Sequence, residues 1–146
     1  MFFLKELPSR QTLERYGVRY PDLDVGNLED ALIMMRRASV LVRELEKYFD
    51  ARGLSLLRFL ILIVLDREPE SDMLSFGEIT ERVDVSKPVM TRTLKALEEY
   101  GLIAVEGGDD KRVKHVRLTE PGKEILQQTL PGYYTLINAF MQKGEA

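Results

Sequence analysis

The most informative part of the sequence is Ser86-Lys-Pro-Val-Met-Thr-Arg-Thr-Leu-Lys-Ala-Leu-Glu-Glu-Tyr-Gly101. Its first residue is a good helix N-cap, proline is tolerated in the first turn of a helix, and glycine is a typical stop after the last turn. Met90, Leu94 and Leu97 fall on one helical face. The opposite face carries Pro88, Thr91, Arg92, Lys95 and Glu99. The pattern predicts a helix that buries one face and presents a polar, largely basic face.

Two further helices are predicted upstream. Ser75-Phe-Gly-Glu78 is a capping box, with Ser at the N-cap and Glu at N3, and it predicts a short helix to about Val83. Before it, Ser55 can cap a helix from Leu56 to about Leu65 that is apolar almost all round, which is typical of a helix at the centre of a core.

The hydrophobic period changes after Gly101. Residues 102–105 form a short β-like run, residues 107–110 have turn chemistry, and residues 114–118 alternate between apolar and polar, so a β-hairpin is expected. Thr119 can cap a last helical region, which Pro131-Gly132 is expected to break or kink. The predicted fold is mainly α with a small β-hairpin wing (α+β): a winged helix-turn-helix within a single domain.

The first 52 residues are interpreted as an N-terminal arm and a long helix. Ser9 can cap a short helix that Gly17 stops, and Asn27 can cap the long one. Residues 53–119 form the winged lobe, and residues 120–146 the C-terminal helical region.

Apolar residues recur every seven positions in the long helix, and a second apolar stripe follows residue 131, so we expect these helices to pair with a second subunit. The residues expected at that interface are Leu28, Met35, Val42, Tyr133, Ile137 and Phe140. The alternative is that the long helix packs only on its own domain.

Composition excludes several classes of function. The 146 residues include no cysteine and one histidine, His115, so thiol chemistry, cysteine-ligated zinc and multi-histidine metal sites are excluded, and no cofactor is expected. The longest apolar stretch, residues 59–65, is far too short to span a bilayer, and residues 1–5 are too short for a signal-peptide core. A cytoplasmic protein is therefore predicted.

The distribution of charged residues along the chain indicates which class of partner it binds. The net charge is −3, but residues 87–117 carry seven basic and five acidic side chains, and this is the one segment with a positive balance. An α-helix fits the major groove of DNA, so Arg92 is the candidate for guanine and Ser86, Lys87 and Lys95 for phosphate. Cations near the hairpin tip could reach the minor groove. The predicted DNA-binding residues are Ser86, Lys87, Pro88, Thr91, Arg92, Lys95, Lys111, Arg112 and Lys114.

The sequence leaves other interpretations of the basic face and of the winged helix open. The basic face could be ordinary solvated surface, and Asp109 and Asp110 could cap the turn and pair with Lys111 or Arg112. A winged helix can also serve as a protein-interaction module without reading DNA. An enzyme is disfavoured because the chain lacks a convincing nucleophile–base pair, a phosphate-cradling glycine loop and a metal cluster.

Residues 54–126 resemble the MarR (multiple antibiotic resistance regulator) family of bacterial winged-helix transcription factors. The family's Thr-Arg pair, Leu-Glu-x-x-Gly, Asp-x-Arg and Leu-Thr-x-x-Gly patterns are matched here by Thr91-Arg92, Leu97-Glu98 with Gly101, Asp110 with Arg112, and Leu118-Thr119 with Gly122. The resemblance implies an obligate homodimer whose two lobes read a pseudo-palindromic operator. It places Arg112 in the minor groove, oriented by Asp110, and suggests release by a small aromatic or phenolic anion.

The chain departs from the family pattern in three places. Lys111 stands where many members have Arg, the arm before Asn27 is longer than in many members, and the C-terminal region is short. No residue is assigned to an effector, because the ligand pockets of the family share no firm motif. The expected function is that of a dimeric transcriptional regulator, and more specifically a repressor.

Overall fold

A computed structural model describes residues 2–68, 72–107 and 113–144 of the chain. In these residues the elements are α1 (Arg10–Arg19), α2 (Val25–Asp50), α3 (Leu56–Asp66), β1 (Leu74–Ser75), α4 (Phe76–Arg82), α5 (Lys87–Glu99), β2 (Ile103–Gly107), β3 (Lys114–Leu118) and α6 (Glu120–Gln142). They fall into two compact units, residues 1–45 and 46–146, and α2 continues from the first into the second. The predicted fold class, mainly α with a small β wing, is confirmed.

The core of the second unit is built around α3. Five of its apolar side chains are buried: Phe59, Ile61, Leu62, Val64 and Leu65. The helix packs against α4, α5, α6 and β3, which explains why it needs an almost continuous apolar surface. Ser55 caps it as predicted, since its Oγ accepts a hydrogen bond from the backbone N–H of Arg58 at 3.1 Å.

The three strands form one antiparallel sheet in the order β1-β3-β2. In the hairpin, Val105 pairs with Val116 and Glu106 with His115. The sequence did not predict β1, which pairs Leu74 with Val116. A strand of two residues shows no alternation to detect, and its second residue is also the N-cap of α4.

Two predictions about the first unit are wrong. Helix α2 begins before Asn27, and the side chain that accepts a hydrogen bond from the Asn27 N–H is that of Asp24, at 2.9 Å. Helix α1 does not stop at Gly17 but continues to Arg19. A side chain at position 17 would collide with Val25, so this glycine permits close packing rather than ending the helix.

The C-terminal helix is not broken at Pro131-Gly132, because α6 is continuous through both residues. At this point α6 packs closely against Tyr48, whose ring occupies the space that a side chain on Gly132 would need. The Tyr48 hydroxyl donates a hydrogen bond to the backbone carbonyl of Thr129 at 2.6 Å. The glycine therefore gives Tyr48 access to the backbone of α6.

In the part of the chain that the structure describes, no helix is both long and apolar enough to cross a membrane. Within the same residues, no histidines and carboxylates gather in a group of three that could hold a metal ion.

Candidate nucleic-acid interface

Helix α5 has one buried face and one exposed face, as its sequence predicts. Met90, Leu94 and Leu97 are at most 2% exposed. The predicted DNA-binding residues on and beside the helix are all exposed to solvent: Ser86, Lys87, Pro88, Thr91, Arg92 and Lys95. Because the buried face fixes the rotation of the helix, the basic face has a defined direction.

Both ends of α5 are set by local hydrogen bonds. At the start, Ser86 Oγ accepts from the Val89 N–H at 3.4 Å, and Pro88 occupies the first turn. At the end, Gly101 has a φ of 74°, and the Leu102 N–H donates to the Leu97 carbonyl at 3.0 Å. This is a glycine C-cap of the Schellman type, and it turns the chain directly from α5 into β2.

The cations of α5 remain available to a partner. Among the described residues, Lys87, Arg92 and Lys95 make no ion pair. A cation that is neither paired nor buried keeps its full charge for an external anion and loses little hydration when a phosphate approaches.

The start of helix α4 is fixed by a capping box. The Ser75 N–H donates to Glu78 Oε1 at 3.2 Å, and the Glu78 N–H donates to Ser75 Oγ at 3.1 Å. The hydrogen bond from the Ser75 backbone, followed by that from its hydroxyl, holds the pKa of the Glu78 carboxyl below its ordinary value. At the other end of α4, Arg82 pairs with Glu68 at 2.8 Å, which fastens the helix to the segment after α3.

The wing is described in its two strands. Lys114 is exposed at the start of β3, and its Nζ lies 6.0 Å from the centre of the Phe76 ring. Arg117 forms an ion pair, since its Nε lies 2.8 Å from Glu106 Oε1 across the hairpin. Asp110, Lys111 and Arg112 lie outside the described residues, so their predicted roles in the wing remain predictions.

A compact junction joins α5, the wing and α6. The Thr119 N–H donates to the Leu102 carbonyl at 3.1 Å, and its Oγ1 donates to the Gly101 carbonyl at 2.6 Å. The same Oγ1 accepts from the Gly122 N–H at 3.1 Å and so caps α6. A Cβ on Gly122 would collide with the Leu102 carbonyl oxygen. These contacts give the Leu-Thr-x-x-Gly pattern a structural reason.

The residues predicted for a subunit interface are partly exposed. Met35 and Val42 on α2 are 48% and 42% exposed, and Leu28, Ile137 and Phe140 are half-buried. Tyr133 packs within its own chain, with its ring centre 4.7 Å from that of Phe59 and 6.0 Å from that of Phe49. Their part in dimerisation stays a prediction.

Sequence reasoning missed one cationic residue of this surface. Arg58 of α3 lines a groove together with Arg92 of α5. The part of the sequence that contains Arg58 has more acidic than basic side chains. A signal existed in the sequence, since Arg58 is the only charged residue among residues 56–65. An arginine in an otherwise apolar core helix has to reach the surface, but which surface it reaches depends on tertiary packing.

The chain is similar to proteins that are already known. A model described as "MarR family" matches residues 52–113. The HTH-type transcriptional repressor YetL of Bacillus subtilis is 33% identical over 140 residues, which cover 95% of this chain and 83% of YetL. The chain belongs to the MarR family. Members of this family are DNA-binding transcription regulators, not enzymes.

Solved structures show the same fold. The MarR-family regulator Sco3205 of Streptomyces coelicolor, in complex with DNA, has a TM-score of 0.78 at 20% identity, over 85% of this chain and 78% of Sco3205. The regulator MosR of M. tuberculosis, also in complex with DNA, has a TM-score of 0.60 at 27% identity, over 73% of this chain and 77% of MosR. The winged helix-turn-helix described above is therefore the MarR fold.

Proposed function

We propose that this MarR-family chain is a homodimeric repressor that binds a pseudo-palindromic operator through α5 and the wing. The observation that carries the proposal is the exposed face of α5, where Lys87, Arg92 and Lys95 make no ion pair with any described residue while the opposite face is buried. That arrangement supplies cationic donors in a fixed direction at the surface of a helix, which is what major-groove recognition requires.

The residues of α5 divide by chemistry. Arg92 can donate two parallel hydrogen bonds to O6 and N7 of a guanine, whereas Lys87, Lys95 and Ser86 suit phosphate oxygens. Thr91 and Pro88 lie beside them, where a methyl group or a ring can contact a base edge. In the wing, Lys114 is proposed to contact the DNA backbone, and Arg112 is proposed to enter the minor groove with Asp110 orienting it.

Dimerisation is supported by the apolar surface that each unit leaves exposed. In the first unit, Met34, Met35 and Val42 are 66%, 48% and 42% exposed on α2. In the second unit, Tyr134 and Met141 of α6 are 55% and 59% exposed. Large apolar side chains that recur along two helices are typical of surfaces covered by a partner. A two-fold dimer would present two copies of α5 to two half-sites.

Release of the operator by a small aromatic or phenolic anion is part of the proposal. It is supported by the family membership, and no residue of the chain is assigned to the effector.

The test is a fluorescence-anisotropy titration of a labelled duplex from the region upstream of the chain's own gene, against a scrambled duplex of equal length. Each titration is run at two salt concentrations. We expect nanomolar binding with a large preference for the upstream duplex, and an affinity that falls steeply with salt. Equal, weak binding to both duplexes, repeated with a genome-derived duplex library, would contradict the proposal and favour the second candidate, a winged helix that recognises protein.

A further inference from the structure

The strongest unassigned feature is a groove between α3 and α5. It has a volume of about 280 Å³ and is lined by Ser55, Arg58, Val89, Arg92, Thr93 and Ala96. The volume is several times the roughly 30 Å³ of a water molecule, so a tetrahedral anion fits. No carboxylate is among the lining residues, although the chain as a whole is acidic.

Its two cations come from different helices. Arg58 is half-buried on α3, and Arg92 is exposed on α5. Neither guanidinium forms an ion pair within the described ranges of the chain. Of the two hydroxyls beside them, that of Thr93 already donates to the Val89 carbonyl at 2.7 Å, whereas Ser55 Oγ accepts from the Arg58 N–H and keeps its own proton to donate. The donors left for an anion are the Arg58 guanidinium and the Ser55 hydroxyl, because the Arg92 guanidinium is the one proposed to contact a base.

The position of Arg58 is held by an aromatic ring. Its guanidinium carbon lies 5.2 Å from the centre of the Tyr100 ring, at the C-terminal end of α5. Tyr100 is itself 67% exposed, so the stacked guanidinium lies at the surface and not in the core. Stacking on a tyrosine restricts the arginine side chain without neutralising its charge, so less freedom is lost when an anion binds.

We infer that Arg58 is a second phosphate-binding residue of the DNA interface, positioned by Tyr100, and that the groove receives one phosphodiester of the strand flanking α5. This inference rests on the proposed function. The groove shares Arg92 with the face proposed to enter the major groove, so an anion in it would lie beside that helix. Arginine is suited to this task because its planar fork matches phosphate oxygens.

The test is the salt dependence of DNA binding by the full chain. For Arg58→Gln, the slope of log K against log salt is expected to decrease in magnitude by about 0.9 for each protomer bound, because each phosphate contact contributes about that amount. The affinity for the upstream and the scrambled duplex should fall by the same factor, since a phosphate contact carries no sequence information. Arg58→Lys keeps the charge and should keep the slope.

Matched control variants distinguish the loss of a phosphate contact from the loss of one positive charge. Arg52→Gln removes the same charge and a similar stacking contact, since the Arg52 guanidinium lies 3.7 Å from the centre of the Tyr48 ring in a place that the groove does not include. It should leave the slope unchanged. Tyr100→Phe should also leave it unchanged, whereas Tyr100→Leu should reduce it.

The outcomes distinguish the two claims. A slope that is the same in wild type and Arg58→Gln, or that falls equally in Arg52→Gln, would overturn the role of Arg58. Because the slope is measurable on the scrambled duplex, this result is independent of whether the wild type prefers the upstream duplex, which is the test of the proposed function.

Discussion

Arg92 and Lys95 lie almost one turn apart on the exposed face of α5, but their side chains suit different targets. The guanidinium of Arg92 can form a bidentate contact with one base, whereas the ammonium of Lys95 acts as a point charge. Changing Arg92 should therefore reduce the specificity of DNA binding, whereas changing Lys95 should reduce only its strength.

Arg92→Ala is expected to reduce the preference for the correct base over a substituted one by about 1–3 kcal/mol at one position of each half-site. Lys95→Ala should weaken binding evenly across all duplexes and lower the magnitude of the salt slope by about 0.9 per contact. Competition titrations with duplexes that carry single base-pair changes measure both effects. Even weakening by both variants would show that Arg92 does not read a base.

Gly122 is a second residue whose role can be tested alone. Gly122→Ala should lower the free energy of unfolding by about 1–3 kcal/mol, the usual cost of overpacking, because its Cβ meets the Leu102 carbonyl, which is held by the Thr119 N–H. Urea denaturation measures the change. Gly77→Ala is the control, because its Cβ would make only an ordinary contact at 3.8 Å, and it should be neutral or stabilising. Equal stability of the two variants would contradict the argument.

At the scale of the elements, local capping signals account for most of what the sequence predicted. Ser55, Ser75 and Ser86 each cap the helix that follows, as expected, because the N-cap interaction involves residues close together in the chain. The predictions at Asn27 and Gly17 were wrong for two different reasons. A better cap stood three residues before Asn27, and Gly17 serves a packing contact that local signals do not report.

The capping box of α4 makes stability depend on pH. The pKa of Glu78 is lowered from 4.5 in the folded chain, so its contribution is present above pH 4.5 and is lost as the pH falls through the folded value. Glu78→Gln keeps a hydrogen-bonding side chain but does not titrate. Its stability should therefore depend less on pH below 4.5 than that of the wild type.

Urea midpoints at several pH values measure this difference. Glu81→Gln, which removes a negative charge from the same helix, is the control and should retain the pH dependence that Glu78 confers. An unchanged pH dependence in Glu78→Gln would show that the capping carboxylate is not the titrating group.

At the scale of the whole molecule, the acidic chain and its basic segment fit a protein that binds DNA through one restricted surface. The net charge of −3 opposes non-specific attraction to DNA, so we expect the affinity to depend on the cations of residues 87–117 and on the proposed phosphate contact of Arg58. The sequence predicted that segment but not Arg58, because charge counted along the chain does not report which helices pack together.

Dimerisation can be tested at the same scale. The protein should sediment with twice its chain mass of 16.8 kDa. Val42→Glu places a charge in the proposed interface and should shift the protein towards monomer, with loss of affinity for a full operator but not for a half-site. Arg36→Gln changes the net charge equally at another exposed position of α2 and should remain dimeric. A monomeric wild type would contradict the proposed dimer, whereas a dimeric Val42→Glu would place the interface elsewhere.

The junction at Thr119 has a mechanical consequence. The carbonyls of the last turn of α5 bind the N–H groups of Gly101 and Leu102, the carbonyls of those two residues bind Thr119, and Thr119 caps α6. The end of one helix is thus coupled to the start of the other by a short relay of hydrogen bonds, with Gly122 in direct contact. We therefore expect a displacement of the first turn of α6 to move the last turn of α5 with it, so that the two helix ends act as one rigid unit.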